Sequence, residues 1–299
     1  MPKLPLYSSL AIFASVLLYY SIGTVTLSTQ LYWSFVLIAI MGIPHGAIDN
    51  IIYFQQSSTR PIYFYALYLG SMGLYLALWL LFPVASLVFF LLLSGYHFGQ
   101  SQFSDLKRGS RPLKFLLYLC WGLSILSGLM VYNLAEIHEL FRANADTSDL
   151  LVVFQATPQT YLLLGSSVLT LALILYRYIQ QEMSSQRFWL ELYCFVLIHF
   201  CFYALPLLIG FTLYFTLFHS CRVLWDEFVF LRKKMNPFSP YRFFLLLLPF
   251  TAISVGGSIL LLLFAQWGWL PISGILLSFI LISILTLPHS VVMEGFYQA

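Results

Sequence analysis

The sequence predicts an all-α, polytopic transmembrane helix bundle of about ten spans, folded as a single domain over residues 1–299. Three observations carry that prediction. The chain is 61% hydrophobic and only 8% charged, whereas soluble domains carry about 25% charged residues, so it cannot cover a water-facing surface. Its apolar residues fall into long runs, and a bilayer-crossing helix needs about 20 such residues in sequence. Its basic residues gather between those runs on one side of the predicted bundle, as described below.

The runs in order are 4–27, 30–54, 61–82, 84–103 and 113–133, then 158–179, 188–208, 210–231, 243–266 and 270–293. The first follows Met1-Pro2-Lys3 without a small-residue cleavage site, so it reads as a retained span rather than a removed signal peptide. The junctions near Pro83 and Ile209 are tight enough to hide a broken helix, which sets the range at eight to ten spans. The connection 134–157 is acidic, with Glu136, Glu139, Asp146 and Asp149, and is expected to hold a short amphipathic helix with His138 as a solvated surface histidine.

Charge placement tests the count. With ten spans, one face receives Lys3, Arg60, Lys107, Arg108, Arg111, Lys114, Arg177, Arg187, Arg232, Lys233, Lys234 and Arg242, which is 12 of the 14 Lys and Arg residues. Arg142 falls in the opposite connection and Arg222 within the eighth span. The positive-inside rule then puts both termini in the cytoplasm. One missed span would scramble the pattern. No Lys/Arg tract with interleaved aromatics is present, so nucleic-acid binding has no support. The four cysteines, Cys120, Cys194, Cys201 and Cys221, form no CxxC pair and read as small buried hydrophobes.

Four histidines lie inside apolar runs, where an imidazole needs partners that hydrocarbon does not supply. They are His45 in Gly42-Ile43-Pro44-His45-Gly46-Ala47-Ile48-Asp49, His97 in Gly95-Tyr96-His97-Phe98-Gly99, His219 in Phe218-His219-Ser220-Cys221-Arg222, and His289 in Leu287-Pro288-His289. All sit on even-numbered spans, so their helices run in one direction. His45 precedes Arg60 by 15 residues, His97 precedes Lys107 by 10, His219 precedes Arg232 by 13 and His289 precedes the last residue by 10. At about 1.5 Å per residue these depths agree within roughly 8 Å, so the four can share a layer in the cytoplasmic half. Histidine is the commonest metal ligand among side chains, and the expectation is shared metal ligation.

The flanking residues add to it. Pro44 and Pro288 are expected to kink their spans, and Gly42, Gly46, Gly95 and Gly99 permit close helix approach. Asp49 lies one turn after His45 and is a candidate ligand or an acceptor for a ligand's second ring N–H. Arg222 and Asp226 are expected to form an internal salt bridge, Glu227 and Glu294 to reach the interface, and His199 on the seventh span is a reserve ligand. Neutral histidines suit zinc, copper, iron and nickel. Phe90, Tyr96, Phe98, Phe103, Tyr214, Phe215, Phe218 and Trp225 near the histidines favour an apolar substrate. From the residues, this is a membrane metalloenzyme, oxidative, acting on a lipid-soluble molecule. A proton-coupled transporter using intramembrane His and Asp is the alternative, and the clustered histidine boxes of membrane desaturases are missing.

The four histidine segments resemble the signatures of the Brp/Blh family, in the same order and over essentially the whole chain. These are bacterial and archaeal membrane β-carotene 15,15′-dioxygenases. The resemblance implies a plasma-membrane enzyme with Fe(2+) that splits β-carotene with dioxygen into two retinals. It implies His45, His97 and His219 as iron ligands and His289 as a ligand or close neighbour. Asp49 becomes an orienting group, and the carotenoid enters from the lipid bilayer. The sequence departs from the family at Val223, where a second span-eight histidine often stands, and at Asn50, where a histidine often follows the aspartate. The first departure bears on metal binding, since an i, i+4 histidine pair chelates one ion; a relative acting on another apolar substrate is the corresponding alternative.

Overall fold

The computed structural model describes residues 4–23, 25–106, 108–235 and 237–298; Lys3 and Lys107, two of the basic residues counted above, lie outside the described residues. All regular structure among the described residues is helical, with no strand. Ten helices are long and apolar enough to cross a membrane: Leu4–Ile22, Leu27–Phe54, Pro61–Leu81, Pro83–Gln102, Arg111–Tyr132, Ala156–Ile179, Ser185–Ala204, Leu207–Lys234, Pro240–Gln266 and Gly274–Gln298. We refer to them as the first to tenth spans.

The ends differ from the sequence windows by a few residues because helices start at their caps rather than at the first apolar residue. Thr26, Ser184 and Ser239 accept the backbone N–H groups of Thr29, Arg187 and Arg242, which satisfies donors left over at a helix start. Pro61 and Pro240 open the third and ninth spans, where a missing N–H costs nothing. The tight junctions conceal no lost span: Phe82 alone separates the third from the fourth, and Leu205-Pro206 the seventh from the eighth.

Irregularity lies elsewhere. The second span is α-helical over Leu27–Leu37, π over Ile38–Gly42 and 3-10 over Ile43–Gly46, before the α-helix resumes at Asp49–Phe54. The eighth is α-helical over Leu207–Leu213, π over Tyr214–Ser220 and α-helical again over Cys221–Lys234. Such π segments recur at functional sites because they re-aim side chains. The expected break at Pro44 coincides with the 3-10 segment. Pro288 lies inside the tenth span, which is α-helical on both sides of it.

The chain gathers into two compact units. The first comprises Met1–Ile38, Ser94–Glu139 and Phe154–Arg222. At its centre is the fifth span, the most enclosed of the ten. Trp121 is fully buried there, with its ring 5.2 Å from Phe103 and 5.5 Å from Phe195. The fourth and fifth spans meet backbone to backbone: a Cβ on Gly99 would overlap the Tyr118 carbonyl, and one on Gly122 the Gly95 carbonyl. Small residues let membrane helices approach this closely. A polar clamp closes one end of this unit. The buried Glu191 pairs with Arg187 at 2.7 Å and accepts from Gln102 at 2.8 Å. Asp105 takes Arg187 at 3.0 Å and Arg222 at 3.2 Å. Arg222 thus has a partner in Asp105, on the segment after the fourth span.

The second unit comprises Ala39–Leu93, Leu140–Val153 and Val223–Ala299. Its core gathers Ala47, Ile48, Ile52, Phe64, Leu231, Phe238, Leu247 and Val292, so the residues that follow His45 are anchored by packing from four other spans. The Trp79 indole N–H donates to the Ser283 hydroxyl at 2.6 Å and ties the third span to the tenth. The ninth span is the most exposed of the ten, as expected of a helix that is apolar all round.

Connection 134–157 carries the expected short helix at Leu134–Arg142, followed by a 3-10 stretch at Ala145–Phe154. His138 is not simply solvated: it is half-buried and its Nε2 donates to the Phe154 carbonyl at 2.9 Å. Glu227 does not reach the interface either; it is fully buried, and neither carboxylate oxygen has a hydrogen-bond partner. Glu294, half-buried, accepts from Gln298 one turn on.

Candidate metal centre

Each unit encloses one pair of buried histidines. In the second unit the pair is His45 and His289, with ring centroids 4.8 Å apart at an interplanar angle of 79°. His45 lies in the 3-10 segment, and its Nδ1–H donates to the Gly42 carbonyl at the end of the π segment. The change of helix type places that carbonyl beside a side chain three residues later. His289 donates from Nδ1 to Asp49 Oδ1 at 2.8 Å. The other carboxylate oxygen of Asp49 accepts from the Tyr68 hydroxyl at 2.9 Å. Asp49 is only 2% exposed, so these bonds replace water for a buried charge. The backbone at Gly46 packs beside the His289 ring, where a Cβ would stand at ordinary contact distance, 3.5 Å from its Nδ1.

In the first unit the pair is His97 and His219, with centroids 4.9 Å apart at 77°. His97 projects from the regular fourth span and His219 from the π segment of the eighth. His219 Nδ1 lies 3.0 Å from the Ser101 hydroxyl. The Ser101 hydroxyl also donates to the Phe98 carbonyl at 2.9 Å. The His219 ring is held between aromatics, with Phe98 at 4.8 Å edge-on and Phe215 at 5.5 Å in a stack.

The aromatic surroundings expected from sequence are met in part. Phe98 and Phe215 border His219, and Tyr214 packs on Phe98 at 5.4 Å. Tyr96 turns to Phe115 and Tyr118, Phe103 to Trp121, and Trp225 to Phe228. His199, the reserve ligand, belongs to neither pair. Its Nε2 is 3.2 Å from Ser124, its Nδ1 3.3 Å from Tyr132, and it lines a cavity of about 450 Å³ with Phe195 and Tyr203. The four cysteines are free, three buried and Cys221 partly so. Val223 is fully buried.

Sequence reasoning missed Ser101, Tyr68 and the Gly42 carbonyl. Ser101 carries a readable signal, standing one helical turn after His97. Tyr68 is one of 20 tyrosines, with nothing local to mark it.

The donor set suits a transition metal. A carboxylate and a carbonyl only accept, so His45 and His289 each carry hydrogen on Nδ1 and keep the Nε2 lone pair as donor atom. Metal-binding histidines are oriented in this way by a carboxylate or carbonyl behind the ring.

The model of the family described as beta-carotene 15,15'-dioxygenase matches residues 36–297. A protein named beta-carotene 15,15'-dioxygenase, from uncultured marine bacterium 66A03, is 26% identical over 275 residues, covering 88% of this chain and 92% of its own length. No solved structure matches. The matched region takes in all four histidine segments, and on that extent the chain belongs to the beta-carotene 15,15'-dioxygenase family.

Proposed function

We propose that this protein cleaves β-carotene with dioxygen into two retinals inside the membrane, using a non-haem iron(II) held by histidines. The observation that carries the reading is the presence of two pairs of buried histidines in a chain of the beta-carotene 15,15'-dioxygenase family. The buried imidazoles of His45, His97 and His289 are offered as ligands, with His219 as the fourth. Their common depth along four parallel-running spans, read from sequence, is the reason for assigning them one ion. Bound iron(II) supplies the activation of dioxygen that a carbon–carbon double bond needs.

The protein's own groups do the rest. The His45 and His289 rings present Nε2 because Gly42 and Asp49 accept at Nδ1. Asp49 adds the negative charge that a set of neutral imidazoles lacks, and Tyr68 keeps its carboxylate turned toward His289. Phe98, Tyr214 and Phe215 form an aromatic border beside His219 that excludes water and suits a polyene. A carotenoid reaches such a site from the bilayer, and the charge pattern puts both termini on the cytoplasmic side of the plasma membrane.

Expression in β-carotene-accumulating cells tests the reading. We expect loss of carotene and appearance of retinal by chromatography. A well-expressed protein that leaves carotene intact and yields no retinal excludes this substrate. Val223, which replaces a histidine often present in the family, makes other carotenoids the next substrates to supply.

A further inference from the structure

We infer that Ser101 is the positioning residue of His219, the group that decides which ring nitrogen His219 offers to a metal. The inference rests on the reading of His219 as an iron ligand for its consequence, but not for its first test.

Counting protons gives the direction of each bond. A serine hydroxyl has one hydrogen to give and two lone pairs to receive with. Ser101 spends its hydrogen on the Phe98 carbonyl at 2.9 Å. With that hydrogen so placed, we read its second contact, 3.0 Å from His219 Nδ1, as one in which Ser101 accepts and the imidazole donates. His219 carries its hydrogen on Nδ1, and the lone pair lies on Nε2.

His45 and His289 reach the same state by other means, a backbone carbonyl and a carboxylate. Three histidines on three different spans are thus set to one tautomer by three chemically different acceptors. Ordinary packing does not require that agreement; presentation of Nε2 to a metal does.

The surroundings make Ser101 hard to replace. Ser101 and His219 are each 2% exposed, so bulk water cannot take over the bond. Phe98 and Phe215 border the ring and restrict its rotation. Ser101 also stands four residues after His97 on the same helix. One helical face therefore presents one histidine of the pair and orients the other.

The test uses the full-length, metal-free protein in detergent with 15N-labelled histidine. His219 is assigned by its loss in His219→Asn. We expect a protonated Nδ1 and an unprotonated Nε2 for His219 in the wild type. Ser101→Thr keeps this single tautomer and Ser101→Ala gives a mixture. Cobalt(II) titration then reads the consequence: Ser101→Ala binds about 10–100-fold more weakly, the range for removing such an orienting group, and Ser101→Thr restores binding. A wild-type His219 protonated on Nε2, or a Ser101→Ala protein with an unchanged tautomer, overturns the assignment. An altered tautomer with unchanged cobalt affinity leaves Ser101 as the orienting group and removes His219 from the ligand set.

Discussion

Asp49 joins the tenth span to the third through its two carboxylate oxygens. Its two oxygens are divided between His289 and Tyr68, and it is buried too deeply for water to substitute. Asp49→Asn keeps the shape but weakens acceptance from the imidazole. We expect metal affinity about 10–100-fold lower, with the protein still folded, measured by competition titration with a chelator; wild-type affinity in this variant contradicts the role given to Asp49. Glu227 is a different case. It is fully buried with both oxygens unpartnered, and a buried polar group left unsatisfied costs about 1–3 kcal/mol. Glu227→Met should therefore raise the thermal unfolding midpoint in detergent. A lowered midpoint shows that the carboxylate stabilises the fold. The histidines and Asp49 were legible in the sequence because polar residues in an apolar run stand out. Their orienting partners were not, because serine and tyrosine are ordinary in membrane helices and only the packing of Tyr68 against Asp49 gives it a role.

Among the elements, the contact between the fourth and fifth spans decides where His97 is held. Gly99 and Gly122 lie against backbone, while Gly70 on the third span has open space where a Cβ would stand. Gly99→Ala and Gly122→Ala should each destabilise by about 1–3 kcal/mol, the usual cost of overpacking. Gly70→Ala should be neutral. Thermal denaturation of the three purified variants makes the comparison, and equal midpoints would remove the case for close approach. The number, order and approximate limits of the spans followed from hydropathy and charge. The π segments in the second and eighth spans did not, because a change in backbone hydrogen bonding over one or two turns leaves no mark on an apolar run. The π segment of the eighth span carries His219, and that of the second leads into the 3-10 segment that carries His45, so part of the site geometry was invisible from sequence.

For the whole molecule, the proposed orientation rests on the charge pattern and the proposed chemistry on the buried histidines. On the proposed orientation, Gln186→Cys at the exposed start of the seventh span and Ser148→Cys at an exposed position in the connection after the fifth should differ in labelling by an impermeant maleimide. Ser148→Cys should react in intact cells and Gln186→Cys only after permeabilisation; the reverse pattern inverts the topology. Substrate class came from the family and from the aromatic border rather than from any single residue. The central claim is that His45, His97, His219 and His289 serve one iron. Its most direct test is the iron content of the purified wild type beside His45→Ala, His97→Ala, His219→Ala and His289→Ala. The account predicts about one iron per wild-type chain and a marked loss in each folded variant, whereas full iron retention in all four contradicts it.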